Sequence, residues 1–299
     1  LSNEDKDVLR KSHEALDVLL DNPTETRKLV GVLLHIADAC TYDTQVQMYT
    51  FTRFEEIFGL GMARSSKVGG SGALAFSLAS STSESKGSSS RDPTDAPYGV
   101  QHVALFLQPS ADDDNGNKQV QLHCHSFVRA LSNPDLFLQK SAALSLAFLL
   151  ANLPGGSASQ PTNAHSMDTL VNWVVNKIKE ATKGTTPGSN SGGLDHVMPA
   201  LLLLCQGMDT RLRLLKGNCL DVVSVLLKKL GVTSNPQRLY ELTFVLWTFS
   251  LVSDVARAGG GDGAAESETT TTAFRSAGIL SLLVDLLSAA PSRKIVRMV

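Results

Sequence analysis

The chain has 299 residues, 27 basic and 29 acidic, for a net charge of −2 with histidines neutral. That balance gives no electrostatic reason to expect nucleic acid or an anionic membrane as the main partner. Hydrophobic residues make up 42% and aromatics 6%; a chain of this length can bury about three quarters of its unfolded surface, and a core of Leu, Ala and Val favours helix over a β-sandwich.

Taken in order, apolar periodicity predicts helices over Lys6–Asp21, Thr24–Cys40, Thr44–Phe58, His102–Gln108, Val120–Leu131, Asp135–Asn152, Met167–Glu180 and Leu194–Met208. It continues with Thr210–Lys216, Leu220–Leu230, Pro236–Ala256, Phe274–Ala289 and Ser292–Met298. Alternation of period two is absent, apart from a weak strand pattern over Val100 to Leu107. The apolar run ending at Cys205 is far shorter than the ~20 residues of a membrane span. The N-terminus is not a signal peptide. The cysteines, Cys40, Cys124, Cys205 and Cys219, are scattered and there is no Asn-x-Ser/Thr sequon, which fits a reducing compartment. The chain stops at Val299 inside an apparent helix and is expected to be part of something longer.

One arrangement recurs four times: an apolar helix end, a turn carrying Pro, and another helix. It occurs at Asn22-Pro23, Asn133-Pro134, Asn235-Pro236 and Ala290-Pro291. Asn before Pro suits a helix start, because Asn caps free amides and Pro has no amide to leave unpaired. A second echo aligns Gly217–Leu226 with Gly278–Leu287. Helical hairpins that bury their apolar faces by stacking read as a degenerate armadillo or HEAT-like array. The expected fold is therefore all-α, a right-handed α-solenoid forming one domain over 1–299. Polar low-complexity stretches near 64–97, 109–118, 154–164, 181–193 and 259–272 read as disordered insertions in its hairpin loops. The Ser cluster from Ser77 to Ser90 reads as solvated linker. Helix Pro236–Ala256 is apolar on nearly every side, with Leu239, Leu242 and Leu246 on one face and Tyr240, Phe244, Trp247 and Leu251 on another. That pattern predicts a buried middle layer.

Candidate chemistry is sparse. His123-Cys124-His125 is the most metal-like triplet, but consecutive residues cannot converge on one ion from a helix or a strand, and no fourth ligand stands at a recognisable spacing. It reads as a half-exposed helix start. Gly59-Leu60-Gly61-Met62-Ala63 reads as a helix terminus. Lys183-Gly184-Thr185-Thr186 reverses the order of a phosphate loop, and Gly69-Gly70-Ser71-Gly72 is linker. Glu55-Glu56 beside Arg53 reads as a solvated helix face. Arg211, Arg213, Lys216, Lys228 and Lys229 could form a basic ridge, but without interleaved aromatics they read as an ordinary protein-facing surface, not an RNA platform. Trp173 and Trp247 lack an Asn four residues on, so the Trp–Asn ladder of nuclear-targeting peptide grooves is missing. No cofactor, metal, small-molecule substrate or catalytic residue is expected.

Tyr240-Glu241-Leu242-Thr243-Phe244-Val245-Leu246-Trp247 followed by Phe249-Ser250 resembles the Tyr-Gln/Glu-x-x-Phe-x-Ile/Leu-Trp helix of the H-subunit family of vacuolar-type proton-ATPases (V-ATPases). Asn172-Trp173-Val174 with Lys177 is similar to that family's Asn-Trp-Ile-Lys segment. Thr44 to Glu56 resembles its Thr-Val-Gln-Tyr helix, and Gly278 to Val296 a later apolar helix, all in the family's order. The low-complexity insertions and the region 59–119 depart from the pattern. The resemblance implies a non-catalytic regulatory component at the cytosolic face of vacuolar or other acidic endomembranes. Its partners would be the E and G subunits of the peripheral stalk, the soluble ATPase sector and the membrane sector, with no insertion into the bilayer. Tyr240, Phe244, Trp247 and Trp173 would be its signature core residues. The alternative is a generic armadillo/HEAT adaptor unrelated to the pump.

Overall fold

The computed structural model describes residues 2–4, 7–8, 19–20, 22–60, 99–109, 120–154, 160–184, 192–231, 235–258, 271–288 and 296. Of these, 81% are helical. The chain divides into two compact units, Leu1–Ser166 and Met167–Val299.

The first unit begins with α1 (Pro23–Ala39) and α2 (Thr44–Ile57). The Asn22 side chain accepts from the amides of Thr24 and Glu25 at 3.1 and 3.4 Å, with Pro23 at the first helical position. Asp43 caps α2 through the Val46 amide at 3.1 Å. The α2 helix ends where its amides fold back: Gly59 N–H donates to Glu56 O and Leu60 N–H to Glu55 O, with Gly59 at φ 72°. This pair of reversed bonds satisfies the last carbonyls of the helix. Leu60 lies in that turn, so the glycine-rich stretch opening at Gly59 starts as the expected helix terminus, while 61–63 lie outside the described residues.

Gly99 opens a 3-10 helix (Val100–Phe106), followed by β1 (Leu107–Pro109), β2 (Val120–Leu122), α3 (His125–Ala130) and α4 (Leu136–Ala151). The two strands form an antiparallel hairpin in which Leu107 pairs with Leu122, Gln108 with Gln121 and Pro109 with Val120. This corrects two expected helices. His102–Gln108 is a 3-10 turn running into a strand, and Val120–Leu122 is extended, with helix beginning only at His125. The Leu122 amide donates to the Asn163 side chain at 2.9 Å, and Asn163 is wholly buried. That bond fixes the strand from outside its own sequence neighbourhood.

The α4 helix is buried on almost every side, from Leu138 to Leu150. It packs on α2 and α3, while α1 packs on α2 and α3. Their common core is aromatic. Phe51 and Phe54 of α2 and Phe58 at its C-cap project towards Phe106, Phe127 and Phe148, with ring centroids in the cluster 4.9 to 6.2 Å apart.

α5 (Pro161–Gly184) is longer at both ends than the expected Met167–Glu180. Residues 160–164 and 181–184, expected as insertion, therefore belong to ordered structure, as does 271–272. Of the other expected insertion residues, Pro109 lies in β1, Pro154 follows α4 without helix or strand, and Gly192 and Gly193 begin a 3-10 helix, while 64–97, 110–118, 155–159, 185–191 and 259–270 lie outside the described residues, together with the Ser cluster. So does most of the expected first helix, Lys6–Asp21, and of the last, Ser292–Met298.

The second unit continues with a 3-10 helix (Gly192–His196), α6 (Met198–Leu204), α7 (Met208–Lys216), α8 (Cys219–Leu230), α9 (Pro236–Ala258) and α10 (Ile279–Ser288). The expected helix Leu194–Met208 is thus broken at 205–207. The buried Thr210 hydroxyl donates to the carbonyls of Leu204 and Gly207, which capture the open end of α6. The expected helix Phe274–Ala289 is likewise broken at Ala277-Gly278, where Gly278 takes φ 65°. α9 packs against α6, α7 and α8, and α10 packs on α8.

Candidate functional site

Of the residues singled out in the sequence, Tyr240, Phe244 and Trp247 lie on α9. The Asn235 side chain accepts from the Gln237 amide at 2.9 Å, and Pro236 opens the helix. Leu239, Leu242, Phe244, Val245, Leu246 and Phe249 are buried. Phe244 and Trp247 are in ring contact at 5.6 Å. Tyr240, Trp247 and Leu251 are only half-buried, so the expected second buried face is closed at Phe244 and partly open on either side of it. Trp173 sits on α5, half-buried. The single carboxylate of the stretch, Glu241, is compensated. Arg238 donates to it at 2.6 Å and also reaches Asp195, and the Gln237 side-chain amide adds a bond at 3.0 Å.

The triplet His123-Cys124-His125 is split three ways. His123 bridges Asp38 of α1 at 3.1 Å and Gln108 of β1 at 2.7 Å. Cys124 is buried with Sγ 3.0 Å from Ser166 Oγ, and His125 is exposed at the start of α3. The three side chains do not converge, and no group of three metal-ligating residues is found among the described residues. Lys183 and Gly184 lie within the end of α5, not in a loop. Gly69 to Gly72 lie outside the described residues.

All four cysteines are free. Burial pushes the Cys124, Cys205 and Cys219 thiols up, Cys205 to about 12. The fraction ionised is then negligible at neutral pH, and such thiols are poor nucleophiles.

Of the five cations read as a protein-facing surface, Lys216 is exposed and the other four tie helices within the second unit. Arg211 donates to the Gly207 and Thr248 carbonyls, Arg213 pairs with Asp168 at 2.6 Å, and Lys229 donates to the Thr182 carbonyl at 2.5 Å. Lys228 reaches the Ala277 carbonyl at 3.5 Å. These cations cap helix ends and link helices. Their roles depend on which helix lies opposite, so the sequence carried no signal of them.

Glu55 and Glu56 also differ from a uniformly solvated face. Arg53 lies over the Tyr49 ring at 4.8 Å and pairs with Glu56 at 2.5 Å. Glu55 is half-buried towards α4, and burial raises its carboxyl above its ordinary value of 4.5. The Ser141 hydroxyl, itself without a hydrogen bond of ordinary geometry, and Lys140 oppose that shift, while Glu56 adds to it. The folded state therefore holds the Glu55 proton to higher pH than the unfolded chain does. Its contribution to stability is fully present below pH 4.5 and is lost as pH rises through the raised folded value. Glu55→Gln is expected to raise the melting midpoint at pH 7.5. That gain should vanish near pH 4, where the native carboxyl is protonated too. A thermal scan of both proteins at the two pH values checks this, and a loss of stability at pH 7.5 would sink it.

The chain matches no family model, no curated protein and no solved structure. No helix among the described residues is long and apolar enough to cross a membrane. The described residues of both compact units are mostly helical, and Tyr240 and Trp247 of α9 are half-buried.

Proposed function

We propose that this chain is a non-catalytic, protein-binding component of the V-type proton-ATPase, of the H-subunit kind. In this reading it is a right-handed α-solenoid that binds the E and G subunits of the peripheral stalk. It couples the soluble ATPase sector to the membrane sector at the cytosolic face of acidic endomembranes. The observation that carries it is the ordered run of motifs ending in Tyr240–Trp247, with Trp173 and the Thr44–Glu56 helix before it in the family's order. The mostly helical build supports it, as does the succession α8, α9, α10, since repeated helices bury faces by stacking and present a long surface to a partner.

The test is retention. Tagged protein is mixed with recombinant E–G stalk heterodimer and with isolated soluble ATPase sector. Both are expected to be retained, and ATP hydrolysis by the bound sector is expected to persist. If neither is retained, the second reading, a helical-repeat adaptor outside the pump, takes its place.

A further inference from the structure

Arg53, Arg129, Arg213 and Arg238 each pair with a carboxylate, and so does Lys177. Five cations of the second unit differ. Lys179 and Lys183 near the end of α5, Lys228 and Lys229 at the end of α8, and Arg275 just before α10 are all exposed. None of them pairs with a carboxylate among the described residues. Glu180, next to Lys179, is taken by Lys177 at 3.4 Å. Hydrogen bonds bring the five to one corner. Lys229 Nζ donates to the Thr182 carbonyl at 2.5 Å, beside Lys183 and one helical turn from Lys179. Lys179 and Lys183 are four residues apart and share a flank of α5, about 60° and 100° round the axis from the buried Thr182. On the other side, Lys228 Nζ reaches the Ala277 carbonyl at 3.5 Å, in the turn where the Gly278 amide donates to the Arg275 carbonyl at 3.1 Å. The cations therefore run in a line from α5, across the end of α8, to the entry of α10. Carbonyls at helix ends carry partial negative charge and attract amines. That accounts for Lys228 and Lys229, and it leaves Lys179, Lys183 and Arg275 without a structural task.

We propose that this line of cations is a docking site for an acidic peptide segment of a partner protein, an extended run carrying several Asp or Glu side chains. Charge complementarity carries the assignment. The whole chain has a net charge of −2, so a local gathering of uncompensated positive charge sets this corner apart. It raises the energy of the free folded chain by self-repulsion, and it steers an anionic partner to this place. The geometry selects a linear partner. Packed helices lie about 8–10 Å apart, so three elements in a row span about 20 Å, the reach of about six or seven extended residues. Four of the five are lysines, point charges on flexible stems that can follow carboxylates at uneven spacing, whereas phosphate recognition favours the planar fork of arginine. A nucleic acid strand would also need exposed rings to stack on, and Phe274 beside Arg275 is half-buried. This inference does not depend on the proton-pump reading.

Fluorescence anisotropy of a labelled peptide of about seven glutamates, titrated with the whole chain, tests it. Saturable binding is expected at about 0.15 M salt, weakening as added salt screens the charges. Lys179→Glu combined with Lys183→Glu should weaken binding by about tenfold or more, and Arg275→Glu alone should weaken it too. All three positions are exposed, and circular dichroism checks that each variant keeps its helix. Lys216→Glu reverses an exposed charge just before the start of α8, at the opposite end of that helix, and should bind like the wild type. Oligothymidylate and phosphatidylserine-containing vesicles are the competing anions. No binding of the peptide, undiminished binding by the variants of Lys179, Lys183 and Arg275, or an equal loss in Lys216→Glu would overturn the proposal. So would tighter binding of the oligothymidylate or the vesicles than of the peptide.

Discussion

Gly99→Ala is expected to destabilise the first unit by about 2–5 kcal/mol, the sum of a left-handed backbone penalty and an overpacking cost. Gly99 has φ 94°, and a Cβ built on it would stand 2.6 Å from the Phe58 carbonyl carbon and closer still to its oxygen. The obstruction is backbone, just past the end of α2, and cannot swing aside as a long side chain does. The close approach also has a structural purpose. It brings the exit from α2 and the entry to the 3-10 helix side by side. Two other glycines calibrate the measurement. Gly278→Ala carries the left-handed strain but meets only the Lys228 Nζ at 3.5 Å, so about 1–2 kcal/mol is expected. Gly31→Ala, within α1 and with nothing within 4 Å of the new Cβ, should stabilise by about 0.4–1 kcal/mol. Urea midpoints of the three variants give the ranking. A Gly99→Ala midpoint equal to that of wild type would mean that Phe58 and Gly99 are not in contact.

Helix starts were the most legible part of the fold, because they are written in local chemistry. Asn22-Pro23, Asp43, Asp135 and Asn235-Pro236 each satisfy amides of the helix that follows. The breaks inside predicted helices were not legible, since Thr210 and Gly278 act through hydrogen bonds and dihedral angles that leave apolar periodicity intact. The β-hairpin was missed for a related reason. Each strand is three residues long, too short for alternation to register, and Leu122 is held by Asn163 from a helix far along the chain. The Gly217 and Gly278 echo was real but one residue out of frame, because Asn218 takes the left-handed position that glycine takes at 278.

The candidate site was legible only as a helix. Tyr240, Phe244 and Trp247 share one side of α9 as their spacing predicts, but the sequence did not show that Phe244 alone of the three is fully covered. Whether a flank of a helix is covered depends on the neighbour it receives, and neighbours are chosen by the whole chain. The same limit applies to the cations that tie helices of the second unit.

The other large effect is expected from Phe54→Ala, at about 3–5 kcal/mol. Phe54 is wholly buried, and three rings surround it: Phe127 at 4.9 Å, Phe106 at 5.6 Å and Phe51 at 5.9 Å. Those partners come from α3, the 3-10 helix and α2, so the walls of the vacated space belong to separate elements that pack on other neighbours too. Such walls relax little, and the cavity cost adds to the lost transfer free energy. The tilted and edge-on ring pairs are lost with it. Phe54→Leu keeps most of the volume and should cost only about 1–2 kcal/mol. Phe148→Ala should cost less than Phe54→Ala, since Phe148 is 6% exposed and stacks on Phe58 at 5.0 Å from one side of the cluster. Far-UV circular dichroism in urea is the appropriate probe, because both tryptophans, Trp173 and Trp247, lie in the second unit and their fluorescence would report that unit instead. A Phe54→Ala loss below about 1 kcal/mol would place its ring outside a closed core. The six phenylalanines would then not be what joins α2 to α3, α4 and the 3-10 helix.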